Sequence, residues 1–193
     1  PLPDTDVMSD LADTNRRWAG LGLALASAFG YGMRLTRVLR SIAVHDVGEE
    51  SAAVAALTDR GLRHAEALLL TAHERLRDYE SRGISVVTIC SDLYPTLLAP
   101  CRDAPPLLFI RGASPDLGRG RCIAVVGTRR ATPGGLELAS ATASELVDLG
   151  YTVVSGLAVG IDTAAHEGAL ARTGITVAVL AGSIEHVYPE VNT

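Results

Sequence analysis

Lysine is absent from the 193 residues, so all 17 basic side chains are arginines. Every fixed positive charge is therefore a planar guanidinium, the head group that forks onto phosphate or carboxylate. Aromatic residues make up only 4% of the chain, which leaves the interior to aliphatic and alanine side chains. Cysteine occurs three times, as Cys90, Cys101 and Cys122. An odd count without CxxC spacing excludes a disulfide scaffold and a cysteine zinc site, and it points to a reduced, cytoplasmic setting. No apolar run is long enough to span a bilayer. The uncharged stretch Trp18–Met33 is 16 residues with four glycines, short of the ~20 a spanning helix needs. It is expected to be a buried helix and a turn. Residues 1–15 hold four aspartates and no basic residue, so this stretch is not expected to be a secretory signal. Neither GxGxxG, GxxxxGK[ST] nor GxSxG occurs, so the dinucleotide, Walker and nucleophile-elbow readings fail. His45, His64 and His73 fall at unrelated spacings, and no metal site is expected.

What is present suits a folded protein of one or two domains, with 48% hydrophobic and 20% charged residues. The net charge of −5 argues against a general nucleic-acid binder, but its distribution is uneven. Arg111–Arg130 holds five arginines and one acid, a local +4, whereas 131–193 holds one arginine against seven acids, a local −6. A basic knot in an acidic chain suggests a local anion site. An arginine-containing loop followed by acidic helices reads the same way.

Residues 1–10 read as a flexible polar tail and 11–80 as a small helical domain. Leu35, Val38, Leu39 and Ile42 follow i, i+3, i+4, i+7. Leu62, Ala65, Leu69, Ala72, Leu76 and Tyr79 step 3-4-3-4-3, one apolar stripe over about five turns. From residue 81 the pattern changes. Strands are expected at 85–90, 107–112, 122–127, 151–156 and 175–182, with helices at about 134–149 and 162–173. Continuous apolar strands alternating with amphipathic helices predict an α/β fold with a parallel sheet buried on both faces. Its glycine turns then lie at the carboxyl edge, where open α/β sheets bind ligands. The chain stops at Thr193, soon after the third strand of this unit, so the sheet is expected to be incomplete, in a truncated domain spanning 81–193.

The first turn runs from Gly127 to Gly135. Gly127 permits close approach of backbone to a ligand, Thr128 supplies a hydroxyl, and Arg129 and Arg130 supply two forks. Thr132 precedes Pro133, which can start a helix whose amides and dipole favour an anion. Phosphate binding is the functional reading. A structural turn with two solvated arginines is the bland one. In the second turn, Ser155-Gly156-Leu157-Ala158-Val159-Gly160-Ile161-Asp162, two glycines again allow close approach. Asp162 is expected as the N-cap of the helix that carries His166. Ser155, Asp162 and His166 resemble a catalytic triad in type only, because Asp162 and His166 share one helical turn. His166 is expected to brace adjoining loops by hydrogen bonding. The third turn, Ala181-Gly182-Ser183, leads to Tyr188-Pro189 and Asn192.

These residues resemble a known family. The stretch from Gly83 through Asp92, Tyr94-Pro95, Leu107–Gly112, Val125-Val126-Gly127-Thr128-Arg129, Ser155–Asp162 with Ala165-His166, and Tyr188-Pro189 with Asn192 is similar to the DNA-processing protein A (DprA/Smf) family over about residues 80–193. The helical N-terminus resembles, less distinctly, the SAM-like or helix-hairpin-helix domain of many members. The resemblance implies an extended Rossmann-like DNA-binding domain behind a SAM-like one, and a non-enzymatic, cytoplasmic protein without cofactor. It implies that the protein binds and protects incoming single-stranded DNA and helps load the RecA recombinase in natural transformation. It also implies a homodimer through the Rossmann domain, with no membrane partner. By matched position, Gly127, Thr128 and Arg129 would form the phosphate pocket, with Arg130 and Thr132 beside it. Ser155, Gly156, Gly160 and Asp162 would form its neighbouring wall, and Tyr188 and Asn192 would approach the same groove. The chain departs from the family at Gly134-Gly135, where Tyr-Gly is frequent, and at Val159 and Glu190, where basic residues are common. The later Phe-Pro and Arg-Asn-Arg motifs are absent. Two other readings fit parts of the sequence. One is a nucleotide phosphoribohydrolase of the LOG type, whose PGGxGT motif begins at Pro133-Gly134-Gly135 but does not continue. The other is an interaction-only module with a vestigial groove.

Overall fold

A computed structural model describes residues 5–42, 50–112, 121–187 and 189. The chain forms two compact units, Pro1–Leu117 and Gly118–Thr193.

The first unit contains α1 (Thr5–Phe29), α2 (Met33–Ile42), α3 (Glu50–Thr58) and α4 (Ala65–Ser81), followed by β1 (Ile84–Thr88) and β2 (Leu107–Arg111). α1 begins at Thr5, so residues 5–10, expected as part of a polar tail, are helical. The uncharged segment is the second half of α1 plus a turn at Gly30, whose φ of 72° lies in the left-handed region. Two of its glycines mark close approaches. A Cβ on Gly20 would stand 2.6 Å from His73 Nε2, and one on Gly22 would stand 2.8 Å from Leu107 Cδ2. α1 thereby lies directly on α4 and β1. Leu21, Leu23, Leu25, Leu35, Leu39, Leu57 and Leu69 are fully buried, while Trp18, Phe29, Tyr79 and Phe109 pack only at the margin. The core is thus aliphatic, as the composition requires. α4 starts three residues later than its apolar stripe suggests. Gly61 (φ 74°) and His64 (φ 62°) turn the chain first, and Leu62 packs on the core from outside the helix.

β1 and β2 pair antiparallel, with Val86 opposite Phe109. The expected division at residues 80–81 marks the change from helix to strand, but this hairpin packs with the helices. The compact unit ends only after Leu117 because α1 and α4 both lie against β1.

The second unit runs β3 (Cys122–Ala124), α5 (Pro133–Asp148), β4 (Thr152–Ser155), α6 (Ile161–Ala171), β5 (Thr176–Ala178). The strands are parallel in the order β3-β4-β5, with Ile123 opposite Val153 and Val153 opposite Thr176. This is the expected α/β fold with a parallel sheet. Val153 packs with Ala143, Ala165 and Ala169 from α5 and α6. Burial of both sheet faces does not hold among the described residues. Ala124 is exposed and Val154 and Val177 are only half-buried, because α5 and α6 both pack on the side to which Val153 points.

α5 and α6 meet through small residues. Ser144 Oγ donates to the Gly168 carbonyl at 2.8 Å, and a Cβ on Gly168 would collide with the Ser140 carbonyl. Gly168→Ala should therefore force the helices apart and cost about 1–3 kcal/mol, the range for overpacking a tight contact. Urea denaturation of the full chain, followed by circular dichroism, measures this.

Candidate functional site

The carboxyl ends of β3 and β4 feed two loops, and one carboxylate ties them together. Asp162 lies in the first turn of α6 and is 7% exposed. Its Oδ1 accepts from the Gly127 N–H at 3.3 Å, and its Oδ2 accepts from the Gly156 N–H at 3.1 Å. It is not the N-cap expected from the sequence. Gly160 holds that position, with φ 91° and no side-chain acceptor, and Asp162 sits two residues inside the helix. The Ile161 N–H donates to the Thr128 carbonyl at 3.2 Å, a second tie between the loops. The glycines are required by space, and Gly160 by its φ as well. A Cβ on Gly127 would stand 2.6 Å from Ile161 Cγ1, one on Gly156 2.9 Å from Asp162 Oδ2, and one on Gly160 would collide with the Thr128 carbonyl.

These ties decide which groups face outward. Ser155 is 3% exposed and its hydroxyl donates to the Val125 carbonyl at 2.6 Å, so it builds the wall from inside. Strand alternation carries the signal, since Ser155 shares a face with buried Val153. Asp162 likewise lies behind the loops. Thr132 caps α5 by accepting from the Gly135 N–H at 3.2 Å, with Pro133 in the first turn. Thr128 Oγ1 accepts from the Arg130 N–H at 3.1 Å, leaving its own hydroxyl proton to donate. Thr128, Arg129, Arg130 and Thr132 are all exposed. Among the described residues neither guanidinium has an ion-pair partner. Tyr188 and Asn192 lie outside the described residues.

His166 is 5% exposed and turned away from this loop surface. Its Nδ1 lies 2.7 Å from Thr176 Oγ1, which in turn donates to the Val153 carbonyl at 3.0 Å. A hydroxyl has one proton, so Thr176 accepts from His166 Nδ1–H, and the Nε2 lone pair is left buried without a partner among the described residues. The chain His166–Thr176–Val153 holds α6 to the sheet. Thr176 was legible from the sequence only as a β-branched strand residue. Burial lowers the His166 pKa from its ordinary value near 6.5, and the Asp162 carboxylate opposes that shift in part. Ser155 and His166 thus direct their protons to different partners, and the triad arrangement is not assembled.

Two outcomes follow for stability. Asp162→Ala leaves two loop amides unpaired and should cost about 1–3 kcal/mol, read by chemical denaturation. A histidine whose native pKa is depressed binds its proton more readily when unfolded. The contribution of neutral His166 should therefore be full above about pH 7 and be lost as pH falls through 6.5 toward the native value. Thermal melts between pH 7.5 and 5 should show this slope, and His166→Gln should flatten it.

The family whose sequence model matches residues 85–193, or 109 of the 193 residues, is DNA recombination-mediator protein A. The chain is 38% identical to the DNA processing protein DprA of Bacillus subtilis (strain 168) over 117 residues, which are 61% of this chain and 39% of that protein. It is 40% identical to the DNA processing protein DprA of Streptococcus pneumoniae over 105 residues, 54% of this chain and 36% of that protein. The chain therefore spans less than two-fifths of the length of these curated relatives. Among solved structures, DNA processing protein A from Streptococcus pneumoniae is similar with a TM-score of 0.54 and 26% identity, covering 96% of this chain and 60% of that one. The matched segment contains both loops tied by Asp162, and the chain belongs to the DNA recombination-mediator protein A family.

Proposed function

We propose that the second unit holds the phosphate backbone of single-stranded DNA against the loops that follow β3 and β4. The observation that carries this reading is the pair Arg129 and Arg130, exposed and without an ion-pair partner among the described residues, on a loop fixed from behind by Asp162. Thr128 adds a hydroxyl donor, and the first turn of α5 adds the positive end of a helix dipole. Gly127, Gly156 and Gly160 let the two loops close against Ile161, Asp162 and Thr128 behind that surface. The amides of Gly127 and Gly156 are already used by Asp162, which leaves side chains as the main donors. Contacts of this kind read charge and not base sequence.

The role is binding without covalent chemistry. The separate proton assignments of Ser155 and His166 favour it, since Ser155 donates to the Val125 carbonyl and the hydroxyl beside His166, that of Thr176, donates to the Val153 carbonyl. Membership of a recombination-mediator family supports handing the bound strand to a recombinase, RecA, in transformation and recombination. The exposed apolar residues of the second unit, including Val126, Leu138, Ile175 and Val179, support self-association through that unit. No helix among the described residues is long and apolar enough to cross a membrane.

Fluorescence anisotropy of a labelled oligothymidine with the full chain tests the reading. Binding should weaken steeply with salt, with log K falling by about 0.7 per phosphate contact for each tenfold rise in salt. Arg129→Ala should cost about 1–3 kcal/mol of binding. Unchanged affinity in that variant would overturn the assignment of the site.

A further inference from the structure

The chain carries a second concentration of positive charge, away from these loops in sequence and in the other unit. Between Thr14 and His45 there are five arginines and no acid. Three of them, Arg34, Arg37 and Arg40, lie on α2. At 3.6 residues per turn they fall within an arc of about 120°, opposite Leu35, Leu39 and Ile42. The structure separates the two faces cleanly, since Leu35, Leu39 and Ile42 are buried and all three arginines are exposed. Arg60 joins the same face by donating to Ser41 Oγ at 3.0 Å. Arg40 donates to the Ala99 carbonyl at 2.6 Å, and Arg34 lies over the Phe29 ring at 5.6 Å. Among the described residues Arg37 has no charge partner, and α2 itself contains no carboxylate.

A second feature sits at the start of this strip. Tyr31, 47% exposed, stands in the turn before α2. Arg75 Nη2 donates to its hydroxyl at 3.2 Å, and its ring is tilted against Phe109 with centroids 6.3 Å apart. An aromatic ring held from behind, next to a row of guanidiniums, is the combination on which an unpaired base stacks while its phosphates are neutralised. An acidic protein surface would need the charges but not the ring. Arg34 to Arg40 spans about 9 Å along the helix, enough for two or three nucleotides.

We propose that the exposed face of α2, with Tyr31 and Arg60, is a second contact surface for the sugar–phosphate backbone of a nucleic-acid single strand. It is built entirely by the first unit and does not depend on the loops of the second. In a DNA-handling family such a surface adds phosphate contacts separate from those of Arg129 and Arg130.

The test compares variants of the full chain by anisotropy with labelled oligothymidines of two lengths over a salt series, with circular dichroism as the folding control. Arg34→Gln/Arg37→Gln should lower affinity for the longer strand about tenfold at low salt. It should also make the salt slope shallower by about 1.4, the equivalent of two phosphate contacts. Arg34→Lys/Arg37→Lys keeps the charge and should keep the slope, and Tyr31→Leu should weaken binding without changing the slope. Unchanged affinity and slope in the folded glutamine variant would overturn the proposal, as would dependence on these arginines for duplex only. If Arg129→Ala loses affinity while the α2 variants do not, only this inference fails. If the α2 variants lose affinity and Arg129→Ala does not, only the loop site fails. A wild-type chain with no affinity for either strand overturns both.

Discussion

The Asp162 carboxylate is the constraint on which the second unit turns. It accepts from Gly127 on one loop and Gly156 on the other, and it does so from the first turn of a helix whose positive dipole end favours its charge. Three elements that end independently, β3, β4 and the start of α6, are held in one arrangement by two hydrogen bonds. Everything around the carboxylate makes room for it. Ile161 fills the space beside Gly127, and Gly160 passes under Thr128 in a conformation that a side chain would not allow. The loop that carries Arg129 and Arg130 gets its position from this arrangement.

The two units solve the packing problem differently. In the first, leucines from α1, α2 and α4 meet in one aliphatic core, and glycines on α1 let the helix approach His73 and Leu107. In the second, the helices meet through Ala139, Ser140, Ala143, Ala165 and Gly168, so their backbones come close with little apolar volume between them. That contact is sensitive to single added methyl groups because there is no flexible side chain to move aside. His166 and Thr176 add a directional tie between α6 and the sheet that alanines cannot supply.

Much of this was legible in the sequence because periodicity reports directly on which side of an element is covered. The order of strands and helices, the buried character of the uncharged N-terminal helix and the exposure of the arginine loop all follow from it. The parts that were not legible depend on position within a turn or on partners far along the chain. Asp162 reads as a cap from its place after Gly160, yet a shift of two residues turns a capping side chain into a loop clamp. Ser155 reads as part of a ligand wall, but strand alternation places its hydroxyl inside with Val153. The apolar strands suggest a sheet covered on both sides, because composition cannot say how many helices are present to cover it. Ala124 and Val154 mark the side that α5 and α6 leave open.

The division of labour between Asp162 and the arginines separates architecture from affinity. The groups that shape the loop are buried and interlocked, so substitutions among them are expensive. Among the described residues, the guanidiniums that project from it make no ion pair that holds it in place. Such a scaffold is evolvable: relatives can gain, lose or relocate surface charge to suit different strand lengths or partners without rebuilding the fold beneath. Val159, exposed on the facing loop, is a position where a charge could be added without touching the ties beneath.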